Sequence, residues 1–206
     1  MSIYQDRVLP YLIHLSMRQG NLATYRQRLL SAAEGRILEI GVGSGHNFRY
    51  YSERANHVIG LDPSPKLLSM ARETIRSQAF PFPVELLQAS AEAIPLRSGS
   101  LDTVVTTWTL CTIPNVTSAL AEMCRVLKPD GRFLFVEHGL SPDPAVRRWQ
   151  DRLTPIWKRI SGGCHLNRAI SQLVQDAGFR IDRIETGYMK GLQPMTYMYE
   201  GFARPA

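Results

Sequence analysis

The chain has 206 residues, 44% of them hydrophobic and 20% charged, and its formal net charge is +6. This length and composition predict a single well-buried globular domain over residues 1–206, and they exclude a disordered chain. The three cysteines, at positions 111, 124 and 164, are scattered without metal-ligand spacing. We therefore expect reduced thiols and no bound metal.

Targeting signals and the distribution of charge indicate where the protein is found and what it binds. No signal peptide is recognisable, and no apolar run approaches the roughly 20 residues that cross a bilayer, so we expect a cytoplasmic protein. The positive charge would suit nucleic acid or an anionic membrane. The basic residues are dispersed, however, and are not interleaved with aromatic residues. We expect no nucleic-acid partner and keep peripheral membrane contact as the minority alternative; the oligomeric state stays open.

The residue pattern of positions 1–34 predicts a helical segment. This segment has a broad apolar face and arginines among its polar positions. The apolar residues of this face are Ile3, Leu9, Leu12, Ile13, Leu15 and Met17. Pro10 is expected to break or bend the helix, because its ring cannot share a hydrogen bond with the preceding turn. We favour a lid packed over an active site. The alternative is an interfacial helix that rests on a membrane through the same face.

Strands and helices alternate after residue 35, which predicts a parallel sheet with helices on both faces. The predicted strands are Arg36–Gly41, His57–Asp62, Val84–Ala89, Leu101–Leu110 and Arg132–His138, and the helices are about Asn47–Arg54, Ser64–Gln78 and Val116–Leu127. Two further helices are predicted at about Pro144–Arg159 and Asn167–Ala177. Alternating residues in Phe179–Tyr188 and Met195–Arg204 then predict an antiparallel strand pair.

Three glycines at alternate positions, Gly41, Gly43 and Gly45, follow the first strand directly. Glycine is needed where the chain turns sharply and a ligand approaches bare backbone. The second strand ends at Asp62, where a carboxylate can accept hydrogen bonds from two ribose hydroxyls. Dinucleotide enzymes more often have the spacing G-x-G-x-x-G. The pattern therefore predicts a nucleoside site at the carboxyl edge of the sheet, for a ligand without a pyrophosphate.

From Ile3 to about Phe202 the sequence resembles class I S-adenosylmethionine (SAM)-dependent methyltransferases, specifically the methyltransferase type 11 domain. The matching segments are LEIGVGSG, IGLDPSPKLL, LLQASAEAIPLRSGSLDTVVTTWTLCTI and EMCRVLKPDGRFLFVEHG. A narrower likeness, in Thr109–Ile113 and Gly162–Arg168, is to methyltransferase-like alkyl-thiol methyltransferases and bacterial phospholipid-methyltransferase-like relatives. The resemblance implies SAM as cofactor and a Rossmann-like α/β fold with seven mostly parallel strands. Its parts would be the lid at 1–34, the SAM-binding core at 35–140 and a substrate side at 141–206.

The resemblance also implies cofactor-binding roles for ten residues. Gly41 and Gly43 would pass beneath the methionine part of SAM, and Glu39 would face the same end. Asp62 would bind the ribose, and Pro63 would cover the adenine edge. The remaining five are Ser90, Ala91 and Glu92 at the adenine, and Thr107 and Trp108, whose carbonyls would meet the methionine amine. Ser90 stands where many relatives have aspartate, so Glu92 or the backbone at Ala91 is expected to share its contact.

His138, at the end of the fifth strand, is the candidate catalytic residue, because a neutral imidazole there could take a proton from a thiol or hydroxyl. The alternative is a histidine that merely holds loop backbone. His165 and Asn167 would line the same mouth or order a turn, with a helix cap favoured for Asn167. Cys111 and Cys164 are expected to be packing residues and not nucleophiles.

We predict a SAM-dependent methyltransferase that acts on a small or amphiphilic acceptor, with a thiol or a lipid as the first choice. A quinone or another small metabolite, methylated at carbon or oxygen, is the alternative acceptor. A SAM-binding protein without catalysis is the alternative from a different functional class. Because the SAM sulfonium is already a strong leaving group, such an enzyme needs alignment and exclusion of water more than a nucleophile of its own.

Overall fold

One seven-stranded sheet, in the order β3-β2-β1-β4-β5-β7-β6, organises the computed structural model, which describes residues 4–206. The strands are Gly35–Ile40 (β1), Ala55–Leu61 (β2), Val84–Leu87 (β3), Leu101–Thr107 (β4), Leu127–His138 (β5), Phe179–Tyr188 (β6) and Tyr197–Pro205 (β7). The first five strands are parallel, and β7 runs antiparallel to both β5 and β6. The predicted Rossmann-like architecture with an antiparallel C-terminal pair is confirmed.

Helices cover both faces of this sheet. They are Leu9–Ser16 (α1), Gly20–Leu30 (α2), Pro65–Ser77 (α3), Val116–Val126 (α4), Pro144–Ile160 (α5), Ile170–Asp176 (α6) and the short Gln193–Thr196 (α7). Local sequence explains where they start. Ser64, for example, caps α3 by accepting a hydrogen bond from the Leu67 amide at 3.3 Å, and Pro65 occupies the first turn, where its missing N–H costs nothing.

The core has two apolar layers because neighbouring residues of a strand point to opposite faces. Val104 of β4 packs in the layer under α4 and α6, and Val105 packs in the layer under α2 and α3. Both are completely buried. Strands covered on both faces leave their carboxyl ends as the open edge, and this edge is where the predicted site residues gather.

The predicted helix Asn47–Arg54 is wrong. Only Phe48–Tyr50 is helical, as one 3-10 turn, and β2 already begins at Ala55. Phe48 and Tyr51 have helical spacing, but the Tyr51 hydroxyl donates to Glu39 and the Asn47 side chain also bonds there. These tertiary hydrogen bonds hold the segment as a loop beneath the sheet edge.

Other boundaries shift for local reasons. β4 ends at Thr107 and not at Leu110, because Trp108 has a left-handed φ of 51° that takes the chain out of the sheet. α6 begins at Ile170 with Ala169 as its cap residue, so the expected cap at Asn167 is wrong. The Asn167 amide instead donates to the Asp151 carboxylate at 2.7 Å. β7 begins at Tyr197, after the helical turn α7.

The amino-terminal segment is helical, as predicted. Residues Tyr4–Val8 form a π-helical turn that leads into α1, and Pro10 lies in the first turn of α1, where helices accept proline. Ile3, which the sequence places on the apolar face, lies outside the described residues. Within residues 4–206, no helix combines the length and apolarity that spanning a lipid bilayer requires.

Candidate cofactor and acceptor site

A cavity of about 840 Å³ lies over the carboxyl ends of β1, β2 and β4. The loops that follow these strands form its floor, and they include Gly43, Asp62 and Trp108. Leu9 and Ile13 of α1 line it on the amino-terminal side, and Trp157 and Ile160 of α5 line it at the far end. The cavity therefore joins the predicted nucleoside loop to a chamber with apolar walls.

The glycine loop is left-handed at Gly41, Gly43 and Gly45, with φ values of 69°, 56° and 80°. The reasons for glycine differ along the loop. A Cβ on Gly41 would lie 2.5 Å from the Thr109 side chain, so packing excludes it. A Cβ on Gly43 would meet nothing closer than the Gly41 carbonyl, at 3.9 Å. Gly43 thus leaves its backbone open to a ligand in the cavity.

Asp62 is fixed by the backbone around it. Its Oδ2 accepts from the Gly43 amide at 3.0 Å, and its Oδ1 accepts from the Ser64 amide at 2.8 Å. Burial raises the pKa of this carboxyl, and the two amide hydrogen bonds oppose the rise. Each oxygen keeps a further lone pair for a ligand hydroxyl. This geometry fits a ribose acceptor that is set in place before the ligand binds.

Glu39 is the centre of a buried polar network. Its two oxygens accept from Asn47 Nδ2 and from the Tyr51 hydroxyl, each at 2.8 Å. Burial raises its pKa to about 7, although the bonds from Tyr51 and Asn47 and the charge of Arg26 lower it. Its ionised form, which predominates only above about pH 7, contributes negative potential to the floor of the cavity.

Arg26 of α2 extends this network, and the sequence analysis did not find it. Its Nε donates to Asn47 Oδ1 at 2.7 Å, its Nη1 donates to the Met17 carbonyl at 2.9 Å, and its guanidinium lies 5.2 Å from the centre of the Trp108 ring. Arg26 is only 3% exposed. In the sequence Arg26 is one of several arginines at polar positions of the amino-terminal segment. Nothing in that pattern indicates which of them is buried.

Trp108 holds a backbone conformation that non-glycine residues seldom adopt, with its amide bonded to the Val136 carbonyl at 2.8 Å. Such outliers cluster at functional sites. The carbonyls of Thr107 and Trp108 each have one internal donor, the Thr109 hydroxyl at 3.1 Å and the Cys111 thiol at 3.6 Å. A second lone pair on each oxygen remains for a ligand.

The residues predicted to contact the adenine differ in whether they line the cavity. Ser90 and Ala91 line the cavity, as does Pro63, but Glu92 is not among the described residues that line it. The Glu92 carboxylate accepts from the Asn115 amide at 2.6 Å and from the Ser90 hydroxyl at 3.2 Å. It therefore ties the Ser90 loop to the start of α4. Nine predicted cofactor residues share one cavity with His138: Glu39, Gly41, Gly43, Asp62, Pro63, Ser90, Ala91, Thr107 and Trp108.

His138 also lines the cavity, next to the Cys164 thiol. Its Nε2 is 3.2 Å from Cys164 Sγ, and the sulfur atoms of Cys111 and Cys164 and a ring nitrogen of His138 lie within 4.8 Å of one another. All three residues are buried, and both cysteines also pack against Leu166. Cys111 and Cys164, which are scattered in the sequence, are thus brought together by the fold, and their predicted packing is confirmed.

The three groups influence one another's protonation. The hydrogen bond with Cys111 lowers the pKa of the Cys164 thiol, and His138 lowers it further against the effect of burial. Burial favours a neutral His138, but its bond with Cys164 prevails and raises the pKa of the imidazole. The other nitrogen, Nδ1, has no partner among the described residues. His165 bonds to the Cys111 carbonyl through its amide, at 2.9 Å, and orders the turn there.

Comparison with known proteins identifies the domain. Residues 38–135 match the family model described as "Methyltransferase domain". The chain carries a SAM-dependent methyltransferase domain. SAM is its methyl donor. The open backbone at Gly43 and the buried acceptor at Asp62 fit the donor's nucleoside.

Two curated relatives are enzymes with named acceptors. The chain is 32% identical over 145 residues to human "Thiol S-methyltransferase TMT1A", and the match covers 69% of this chain and 59% of that protein. It is 33% identical over 109 residues to "Phosphatidylethanolamine N-methyltransferase" of Cereibacter sphaeroides, covering 53% of each. The chain thus spans less than two thirds of the length of these relatives.

A solved structure shares the fold. The crystal structure of YcgJ from Bacillus subtilis superposes with a TM-score of 0.66 at 18% identity, covering 89% of this chain and 95% of that one. At this identity the likeness establishes the architecture of the methyltransferase domain and nothing about its acceptor.

Proposed function

We propose that this chain transfers the methyl group of SAM to the sulfur of an apolar thiol. The observation that carries the proposal is the continuity of the cavity, which runs from the glycine loop to a chamber at Cys111, His138 and Cys164. Trp157, Leu166 and Met195 also line this chamber, so its walls suit an apolar acceptor. The likeness to a thiol S-methyltransferase supports sulfur as the acceptor atom.

SAM supplies an activated methyl on a sulfonium, and the chain's residues supply binding, alignment and exclusion of water. Asp62 and the Gly43 backbone would hold the nucleoside, and the Glu39 network would face the methionine end. We propose that α1 acts as the lid over both. Leu9 and Ile13 line the cavity from above, and His14 Nδ1 lies 2.8 Å from Ser44 Oγ in the glycine loop. A closed lid increases alignment and keeps water from the methyl group.

A thiol acceptor must lose its proton before or during transfer, because the thiolate is the nucleophile. His138 is the candidate base at the acceptor end of the cavity. Its Nε2 is already engaged with Cys164 Sγ, so a base role requires this contact to open. The assignment stays a prediction.

Phosphatidylethanolamine is the second candidate acceptor. The relative from Cereibacter sphaeroides supports it, and so does the apolar rim of the cavity, where Leu12 is 49% exposed and Ile160 is 51% exposed. An apolar rim suits an acceptor taken from a lipid surface.

The deciding experiment is a product screen with methyl-labelled SAM against alkanethiols, phosphatidylethanolamine vesicles and quinols. We expect label in the thioether product of the alkanethiols. Label only in the lipid would support the second candidate, and label only in quinols would contradict both. Binding of SAM with no product from any acceptor would favour a SAM-binding protein without catalysis. The variant Asp62→Ala, which should bind SAM weakly, is the control for labelling that does not depend on the site.

A further inference from the structure

The cluster of Cys111, His138 and Cys164 has the dimensions of a zinc site. Zinc lies about 2.3 Å from thiolate sulfur and about 2.0–2.1 Å from imidazole nitrogen in tetrahedral sites, which places the ligand atoms about 3.5–3.8 Å apart. Here His138 Nε2 is 3.2 Å from Cys164 Sγ, and the three potential ligand atoms fall within 4.8 Å of one another. Small side-chain movements would bring them to coordination distance.

The backbone that carries these ligands is held in place. Cys111 follows β4, His138 ends β5, and Cys164 lies in the loop after α5. Arg168 joins the first and third segments by donating to the carbonyls of Leu110 and of Ile113, the latter at 2.7 Å. The amide of His165 donates to the Cys111 carbonyl at 2.9 Å. The ligands are therefore assembled by the fold, as a metal site requires.

The donor set and its location indicate the type of metal site. Two thiolates and one imidazole select zinc among the common divalent ions, and three protein ligands with an open fourth position are typical of catalytic zinc. All three residues line the cavity that also contains Gly43 and Asp62. A ligand at the fourth position would thus share the cavity with the methyl donor.

We propose that Cys111, His138 and Cys164 bind Zn²⁺, and that the sulfur of the thiol acceptor occupies its fourth position as a thiolate. The second half of this inference rests on the proposed function. Nε2 bound to zinc cannot also take a proton, so the metal, and not His138 as a base, makes the thiol acidic. The acceptor thiol releases its proton to solvent as its sulfur binds.

The transfer then balances without another reactant. A bond forms between the acceptor sulfur and the methyl carbon while the bond between that carbon and the donor sulfur breaks, and its electron pair stays on the donor sulfur. A thiolate and a sulfonium become two neutral thioethers. A thioether is a weaker zinc ligand than a thiolate, so the product leaves and the metal is unchanged.

Metal content and cobalt spectroscopy test the site itself. The full chain, purified without chelator, should hold one zinc per chain, and Co²⁺ should replace it with sulfur-to-cobalt charge-transfer absorption. Adding an alkanethiol without SAM should shift the cobalt spectrum. Cys111→Ser, His138→Ala and Cys164→Ser should each lose stoichiometric zinc, while Cys124→Ser, on α4 away from the cavity, should keep it. Circular dichroism confirms that each variant is folded.

The inference and the proposed function fail separately. Absence of stoichiometric Zn²⁺ or Co²⁺ binding to the reduced wild-type chain overturns the whole inference, and thiol methylation at full rate by a metal-free chain overturns its acceptor half. That second result leaves the proposed function standing. A chain that binds zinc but gives no cobalt shift with thiols overturns the acceptor half. A zinc-loaded chain that methylates no thiol contradicts the proposed function.

Discussion

Asp62 anchors the proposed ribose contact through hydrogen bonds to its charged carboxylate. The variant Asp62→Ala should weaken SAM binding by about 1.5–3 kcal/mol, the usual loss for such bonds. Isothermal titration calorimetry measures this directly, with Asp130→Ala, at an exposed position near the start of β5, as the matched control. Equal SAM affinity in a folded Asp62→Ala protein would contradict the ribose assignment.

Comparing variants at Gly43 and Gly99 distinguishes the loss of space for a ligand from the cost of backbone strain. Both glycines are left-handed, with φ values of 56° and 61°, and a Cβ on either meets nothing within 3.4 Å. Valine at either position should cost about 1–2 kcal/mol of folding stability. Only Gly43→Val should abolish SAM binding, because only Gly43 lines the cavity. Similar SAM affinity in the two variants would show that the Gly43 backbone does not meet the ligand.

Glu39 should make stability depend on pH. Its pKa is about 7 in the folded chain because of burial, against an ordinary value near 4.5. Between these values the folded state keeps a proton that the unfolded state has released, so stability falls as pH rises from about 4.5 to about 7. The loss is at most about 3.4 kcal/mol.

Urea unfolding of wild type and Glu39→Gln across pH 4.5 to 8 checks this expectation. The free energy of unfolding of the wild type, relative to that of Glu39→Gln, should fall as pH rises. The difference should become constant above about pH 8. A difference that is the same at every pH would mean that Glu39 is ionised throughout.

Among the secondary-structure elements, α1 can be deleted to test the lid. α2 has to be kept, because its residues Leu29, Leu30 and Arg26 are buried. A chain that starts at residue 18 should stay folded, bind SAM several-fold more weakly and turn over slowly if α1 is a lid. If α1 serves a membrane, the same truncation should keep activity on soluble acceptors and lose liposome association. Retained activity with unchanged liposome association would contradict both interpretations.

The elements differ in how far the sequence predicts them. β1, β2 and β4 are buried on both faces, so they appear as apolar runs whatever their neighbours are. The helix predicted over residues 47–54 does not form, because Asn47 and Tyr51 donate hydrogen bonds to Glu39 that exist only in the folded chain. The loop glycines and Asp62 were predictable because Gly41 and Asp62 directly follow β1 and β2. The Cys111, His138 and Cys164 cluster was not, since its members come from three segments that only tertiary packing brings together.

For the whole molecule, a ligand that binds only the folded state stabilises it by mass action. At a SAM concentration of about 100 times Kd the gain is about 2.7 kcal/mol, which for a chain of this size raises Tm by roughly 5–11 °C. Differential scanning fluorimetry measures the shift, and Asp62→Ala at the same concentration should show a smaller one. A wild-type Tm that SAM leaves unchanged would argue against a nucleoside pocket.

The position of β7 has a consequence for synthesis. This strand follows all the others in the chain, yet it lies between β5 and β6 and is hydrogen-bonded to both. While the ribosome is still translating residues 139–196, the outer edge of β5 lacks its β7 partner, although the cofactor loops have already been synthesised. A nascent chain with that open edge can pair with another copy of itself, so the interval before β7 appears is when this protein most needs a chaperone.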